Sequence, residues 1–383
     1  MQIPRRRECQ VCGGNNIRHL FDNAMAPLAG VDLSYQVGDC VNCGFSFAYE
    51  LPNDVTYQSY YQTLSKYDVL ATLSDSDQVR FDAIVRLLQS QLPPQSIVVD
   101  IGCGEGALLS KLRTAGYQNL FGIDPAPNVR AIALKKYGLD SIRQGFFDDA
   151  ATVVPLTSAD GICIAAVLEH LPNLRVDMQQ LLRHLKPKCK LFIEVPTLEL
   201  FGHAHGEPYG EFSLEHVNYF CSATLSNLMI TLGWYCEQSE YLAFPELQTG
   251  SVISVFGHSE SSLAVQSPNT VPKLDTYVNA CNKQVNAMLE KIPNSEIIIY
   301  GAGSHSARIL PLLAGIPTLT INAIVDNNPN LTGKTLGTWE IQTPSLINTM
   351  PGVPILVSSF RLQNEIANAL RNKYPNPLVL LYP

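Results

Sequence analysis

The sequence predicts an α/β protein built on a doubly wound, mostly parallel sheet, preceded by a cysteine-bearing module and followed by a second α/β unit. Three observations predict it. An apolar strand starting at Ile97 runs to Asp100, Gly102, Gly104 and Gly106 follow at alternate positions, and a helical pattern begins at Ala107. Alternating glycines let a backbone turn sharply and approach a ligand closely. Strand and helix patterns then alternate through residues 75–260, which points to a parallel sheet with ligands at the strand C-terminal ends. A further strand–glycine–helix unit opens at Ile297. At 383 residues the chain exceeds one ordinary core. Three sections are expected, 1–70, 71–260 and 261–383, with a Ser/Pro-containing linker at 261–275.

The first section holds Cys9-x2-Cys12 and Cys40-x2-Cys43, each pair followed by a glycine. Two such knuckles can point four thiolates at one ion, the ligand set of a tetrahedral zinc site. Four sulfurs close the shell and leave no position for a substrate, so the metal's role is structural. Redox pairs or disulfides are the alternative. The other six of the ten cysteines are scattered singly through apolar segments, which suits a reducing cytoplasm. Tyr57, Tyr60, Tyr61 and Tyr67 cluster after the knuckles; they either pack between sections or, for Tyr67, reach a substrate as a hydrogen-bond donor.

The second section opens with a helix over 74–92, capped at Ser74–Asp77 and carrying apolar Ile84, Leu87 and Leu88 at helical spacing. The strand from Ile97 comes next. A second strand, NLFGID, ends at Asp124, and a third precedes Asp148 and Asp149. GICIA and KLFIEVP supply a fourth and a fifth, and 234–244 with 249–258 supply a closing antiparallel pair. After the fifth strand the chain inserts roughly 28 residues rich in His, Glu and Tyr, centred on Glu215-His216. A histidine beside an acid can serve as a general base near neutral pH. Adjacent residues on a strand face opposite ways, so contact between these two needs a turn. His170, in LEHLP, follows the fourth strand on the same side; His203 and His205 read as exposed loop residues.

In the third section Gly301 and Gly303 open a glycine turn, His305 follows, and Asp326 ends the next strand. Two glycines before a helix suffice to present backbone N–H groups to a phosphate. His305 either contacts such a group or simply starts the helix.

Charged residues make up 16% of the chain against about 25% in average proteins, as buried parallel sheets require. The formal charge of −8 argues against a large nucleic-acid interface. The first residues are basic without an apolar core, so no signal peptide is read, and no run reaches the roughly 18 apolar residues of a membrane span. A cytoplasmic monomer is the expectation.

The run D-x-G-x-G-x-G from Asp100 resembles the first motif of class I S-adenosylmethionine (SAM) methyltransferases. That resemblance implies that Gly102, Gly104 and Gly106 pass under the methionine part of SAM. It also implies that Asp100 holds the turn or the ligand's amino group, Asp124 the ribose diol, and Asp148 (or Asp149) the adenine. Taken together, CQVC…CVNC, VVDIGCGEG, LEHLP, LEHVNYF and YGAGSHS resemble the sugar C-methyltransferases of deoxysugar biosynthesis. That family combines an N-terminal zinc module, a central SAM domain and a C-terminal Rossmann-like domain, and acts on nucleotide-linked 4-keto-6-deoxyhexoses.

The resemblance implies that a base removes the C3 proton and the enolate attacks the SAM methyl. It puts the base at His216 with Glu215 beside it, His170 near the keto group, and a tyrosine from the Tyr67 region over the substrate. Gly301, Gly303 and His305 would meet the nucleotide diphosphate. One departure is visible: the family's Tyr-x-Glu-His reads Ser213-Leu214-Glu215-His216 here, leaving a tyrosine role for Tyr209 or Tyr219 to fill. Two other readings compete. One is O- or N-methylation of a sugar or other small molecule. The other is a zinc-ribbon interaction or RNA-binding protein with a SAM domain.

Overall fold

The computed structural model describes residues 5–32, 34–52, 56, 73–201, 206–212, 215–247, 249–259, 265 and 274–383. Tyr57, Tyr60, Tyr61, Tyr67, His203, His205, Ser213 and Leu214 lie outside the described residues.

An antiparallel sheet opens the chain: β1 (Arg5–Arg6), β2 (Ile17–Asn23), β3 (Tyr35–Cys40) and β4 (Ser46–Leu51), in the order β1-β4-β3-β2. The central sheet contains β5 (Ile97–Ile101), β6 (Asn119–Asp124), β7 (Ile142–Gln144), β8 (Gly161–Ala165) and β9 (Lys190–Pro196), all parallel. A two-residue strand from the insert, β10 (Asn218–Tyr219), joins the first sheet and pairs with β4. The antiparallel β11 (Trp234–Phe244) and β12 (Thr249–His258) complete the central order β11-β12-β9-β8-β5-β6-β7. Strand order reverses between β5 and β8, so the ends of these strands form the crevice where open α/β sheets bind ligands.

The central strands are continuous apolar runs because helices cover both faces. On one face Ala83, Ile84, Leu87 and Leu88 of α1 (Asp75–Gln91) pack with Leu108, Leu109 and Leu112 of α2 (Ala107–Thr114). Beyond β6, α3 (Val129–Tyr137) adds Val129 and Ala133. On the other face lie Met178 and Leu181 of α4 (Leu174–Leu182) and Leu225, Leu228 and Met229 of α5 (Ser222–Thr231). The Ser74 hydroxyl accepts from the Asp77 N–H at 3.1 Å and so caps α1, as its sequence predicts.

The last unit begins with α6 (Leu274–Leu289) and holds the sheet β15-β16-β14-β13-β17-β18, with β13 (Glu296–Tyr300), β14 (Thr320–Val325), β15 (Thr335–Leu336), β16 (Trp339–Gln342), β17 (Ile355–Val357) and β18 (Leu378–Leu380). Helices α7 (Ser304–Leu313) and α8 (Gln363–Arg371) flank it.

The three sections follow chain order, but their packing does not respect the boundaries. Cys9, Phe45 and Phe47 share one core with Val99, Ile164 and Ile193 of the central sheet. Tyr35 and Val37 share another with Phe212 and Tyr219 of the insert and with Tyr277 and Cys281 of α6. Backbone bonds from Ala26 to the Ala307 carbonyl (2.7 Å) and from Ala29 to the Thr335 carbonyl (2.7 Å) tie the first section to the last.

Candidate active site

The glycine turn sits at the end of β5. The Gly102 and Cys103 N–H groups both donate to the Ile123 carbonyl, at 2.8 and 3.1 Å, which clips the turn to β6. Gly102 has φ +75°, and a Cβ there would lie 2.3 Å from Val167 Cγ2. No side chain fits that gap. At Gly104 (φ +50°) a Cβ would meet nothing within 4 Å, so that face of the loop is clear for a ligand.

Asp124 clamps this loop. Its Oδ2 accepts from the Gly104 N–H and its Oδ1 from the Ala126 N–H, both at 2.8 Å. Each carboxylate oxygen keeps a second lone pair, so a diol can still be bound. Asp100 is buried beneath the turn, and burial together with Asp124 pushes its carboxyl up to about 8. The structure separates the two acids after β7: Asp149 accepts from the Phe146 N–H at 2.9 Å and is part of a turn, while Asp148 is exposed.

At the acceptor side, Ala166 adopts φ +53° directly after β8, which turns Val167 onto Gly102 and starts the Leu168–His170 turn. A net of hydrogen bonds sews this turn to the insert. The Val217 N–H donates to the Glu169 carbonyl at 2.8 Å. The Asn218 amide donates to the Leu168 and Leu171 carbonyls, each at 2.8 Å. Buried Arg7 donates to Ala48 O (2.8 Å), Val217 O (3.2 Å) and Asn218 Oδ1 (2.8 Å). The Tyr35 and Tyr219 hydroxyls both donate to the His216 carbonyl, at 3.2 and 2.8 Å.

The result is that His170 and His216 stand ring to ring, with centroids 4.8 Å apart. The Glu215 carboxylate faces His170 (Oε2 to Nδ1, 3.9 Å). Burial lowers both imidazoles, and with His170 beside it His216 is pushed down to about 3. Both rings are therefore neutral at physiological pH. Behind them lie two further buried carboxyls, Glu169 and Glu194, with Arg80 Nε 3.0 Å from Glu194 Oε1. Sequence reasoning overlooked Arg7, Arg80 and Glu194. Glu194 had a signal: a lone charge inside the apolar strand KLFIEVP.

Neither tyrosine considered for the position at Ser213 is free. Tyr209 hydrogen-bonds Asn282, and Tyr219 holds the His216 carbonyl. In the last unit the Gly301 N–H donates to Val325 O (2.8 Å) and the Ala302 N–H to Asp326 Oδ2 (2.7 Å), repeating the clamp seen at Gly104 and Asp124. Gly303 is clear on its Cβ side. Of the two readings of His305, the structure matches the helix start rather than the diphosphate contact. This residue is 8% exposed, with Nδ1 2.8 Å from Ser358 Oγ and Nε2 2.7 Å from the Tyr382 hydroxyl, so both ring nitrogens are engaged internally and neither faces a diphosphate. Three residues on, buried Arg308 pairs with Glu207 and donates to Phe212 O at 3.1 Å, anchoring the chain that leads to Glu215.

The four knuckle cysteines form a second constellation. Their sulfurs all lie within 4.8 Å of one another, with Cys9–Cys43 and Cys12–Cys40 at 3.4 Å. The knuckles are built alike: Gly13 N–H donates to Cys9 O and Gly44 N–H to Cys40 O, both at 2.8 Å.

Residues 74–239 match the methyltransferase-domain family, over the segment that carries the clamped glycine turn. That segment is a methyltransferase domain. Among curated proteins the chain is similar to a dTDP-4-amino-2,3,4,6-tetradeoxy-D-glucose N,N-dimethyltransferase of Saccharopolyspora spinosa, 29% identical over 112 residues. That match covers 29% of this chain and 45% of the relative, so the chain spans under half of the relative's length. Among solved structures it is similar to a 1,6-didemethyltoxoflavin N1-methyltransferase of Burkholderia thailandensis (15% identity, 58% of this chain and 98% of that one, TM-score 0.41). It is also similar to the magnesium protoporphyrin IX methyltransferase of Synechocystis (14%, 54% and 98%, TM-score 0.39).

For this domain the Gly102 contact gives a first prediction. Gly102→Ala forces a left-handed alanine, costing about 1–2 kcal/mol, and drives its methyl into Val167. We expect SAM affinity to fall at least tenfold by calorimetric titration. Unchanged affinity would show that the turn does not carry the cofactor.

Proposed function

We propose that this methyltransferase acts on a nucleotide-linked 4-keto-6-deoxyhexose and methylates C3. The observation that carries the reading is the sewn cluster of His170, Glu215 and His216, which puts two neutral imidazoles and a carboxylate one turn from the cofactor loop. The sugar-nucleotide relative supports the substrate class. When bound, SAM supplies a methyl group already activated on a sulfonium. Gly102, Gly104 and Gly106 line its path, with Asp100 toward the amino group, Asp124 toward the ribose and Asp148 toward the adenine. His170 holds the keto oxygen, with Tyr67 as a second donor. The Glu215-His216 pair removes the C3 proton, and much of the rate comes from holding carbon and methyl in line. The Gly301–Gly303 turn at the start of α7 receives the diphosphate.

We also assign the four cysteines to one structural zinc ion. A tetrahedral zinc with bonds of about 2.3 Å sets its sulfurs about 3.8 Å apart, close to the observed spacing. No helix among the described residues is long and apolar enough to cross a membrane.

Proton exchange tests the substrate reading. Incubated in heavy water with 4-keto sugar nucleotides and no SAM, the protein should wash deuterium into C3. Silence across a panel of thymidine- and guanosine-linked keto sugars would overturn it. N-methylation of an amino sugar, the reaction named for the curated relative, is the second reading and predicts that silence.

A further inference from the structure

We propose that Arg308, on α7 of the last unit, is a positioning residue for His216: it fixes the peptide segment that orients the imidazole. The inference rests on the reading that His216 takes the C3 proton.

The Glu211 backbone accepts a hydrogen bond from the His216 ring. A neutral imidazole carries one hydrogen, so the nitrogen that bonds Glu211 carries it and the other carries the lone pair. Where the Glu211 carbonyl stands therefore decides which nitrogen can act as a base. The carboxylate of a hydrolytic triad does the same for its histidine; here a peptide group takes that part.

What holds this peptide comes from another unit of the chain. The Glu211 N–H donates to the Tyr277 hydroxyl of α6 at 3.1 Å. One residue on, Arg308 Nη2 donates to the Phe212 carbonyl at 3.1 Å, while Nη1 pairs with the Glu207 carboxylate. One planar guanidinium thus spans the turn from its first residue to its last. Inside the turn, the Gly210 N–H donates to Glu207 O (2.8 Å) and the Phe212 N–H to Tyr209 O (2.9 Å).

The turn needs that grip. Tyr209 adopts φ +56°, a left-handed conformation that a tyrosine keeps only where its surroundings impose it. Its N–H lies 3.1 Å from Cys281 Sγ and its hydroxyl bonds Asn282, both on α6. Strain of this kind relaxes when a restraint goes, and Glu211, two residues on, moves with it. Arg308 itself is 7% exposed, and its Nε has no hydrogen-bond partner among the described residues. A guanidinium stays charged when buried, so its cost is offset by Glu207 and the Phe212 carbonyl. Both of these partners belong to the insert and neither to the glycine turn that opens α7.

The test uses the full chain. C3 exchange is followed in heavy water with thymidine- and guanosine-linked 4-keto sugars. In the same samples, histidine nitrogen-15 shifts report the imidazole tautomers, and His216→Gln identifies the His216 signal. The parent should show His216 as a single neutral tautomer. Arg308→Met should slow exchange at saturating sugar nucleotide by about tenfold or more and show His216 in two tautomers. Its half-saturating sugar concentration should stay within about threefold, and its SAM affinity within twofold. Arg308→Lys keeps the ion pair without the second bond and should recover part of the rate. Tyr277→Phe removes only the acceptor of the Glu211 N–H; should Arg308→Met not fold, it gives the same pair of readouts with a smaller loss. An unchanged tautomer or an unchanged rate in the folded variant would overturn the inference, as would a loss confined to sugar-nucleotide binding. A parent silent on every keto sugar would remove the sugar reading, and the His216 tautomer in Arg308→Met would still decide the part of Arg308.

Discussion

His216→Gln abolishes C3 exchange and methyl transfer, by at least about a hundredfold, and leaves SAM affinity within twofold. Glutamine keeps the length of the side chain and a donor for the Glu211 backbone, while the His216 carbonyl stays held by Tyr35 and Tyr219. The loop therefore survives, and only the imidazole's lone pair and ring contact with His170 are lost. The cofactor turn is untouched because its contacts are with Ile123, Asp124 and Val167. Exchange rates by nuclear magnetic resonance and SAM titration of one sample decide the matter. Retained exchange would remove His216 from the base role.

Loss of the proposed zinc should have the largest effect on stability. Structural zinc contributes on the order of 10 kcal/mol, comparable to the whole stability of a typical domain. Cys9, Cys40 and Cys43 are buried in the same core as Phe45, Phe47 and Ile193, so an emptied shell leaves three uncoordinated thiols inside a hydrophobic cluster. The loss also reaches the acceptor site, since β4 pairs with β10 and Arg7 holds Val217 and Asn218. We expect Cys9→Ser or Cys40→Ser to lose one zinc per chain, drop the melting temperature by more than ten degrees, and abolish transfer. A variant that melts like the parent with no zinc bound would show that the cysteines need no metal.

Those two expectations differ in how much of them could be read along the chain. The cysteine knuckles and the glycine turn are spelled out within a few residues, because two-residue cysteine spacing and left-handed glycines are requirements of local backbone geometry. The parallel sheet followed from the alternation of apolar runs, and the antiparallel closing pair fell where its sequence placed it. His305 shows the limit of the same logic. A histidine after a glycine turn suggests a phosphate contact, but Ser358 and Tyr382, more than fifty positions away, turn it inward.

The acceptor site is where local reading stops. Glu215 and His216 are neighbours in the chain, yet the Glu215 carboxylate faces His170, and His216 meets His170 through ring contact. That pairing depends on Asn218 reaching Leu168 and on Arg7 reaching Asn218. Glu169 and Glu194 become a chemical feature only when a buried fold denies them water.

By itself, then, the sequence determined the α/β class, the glycine turn after β5, the acid that ends β6 and the four-cysteine module, since each is set by short-range backbone geometry and periodicity. Only the tertiary structure decided which side chains meet the acceptor. Those positions are assembled by hydrogen bonds between segments as far apart as Arg7 and Asn218, and by burial, which takes Glu169 and Glu194 out of water.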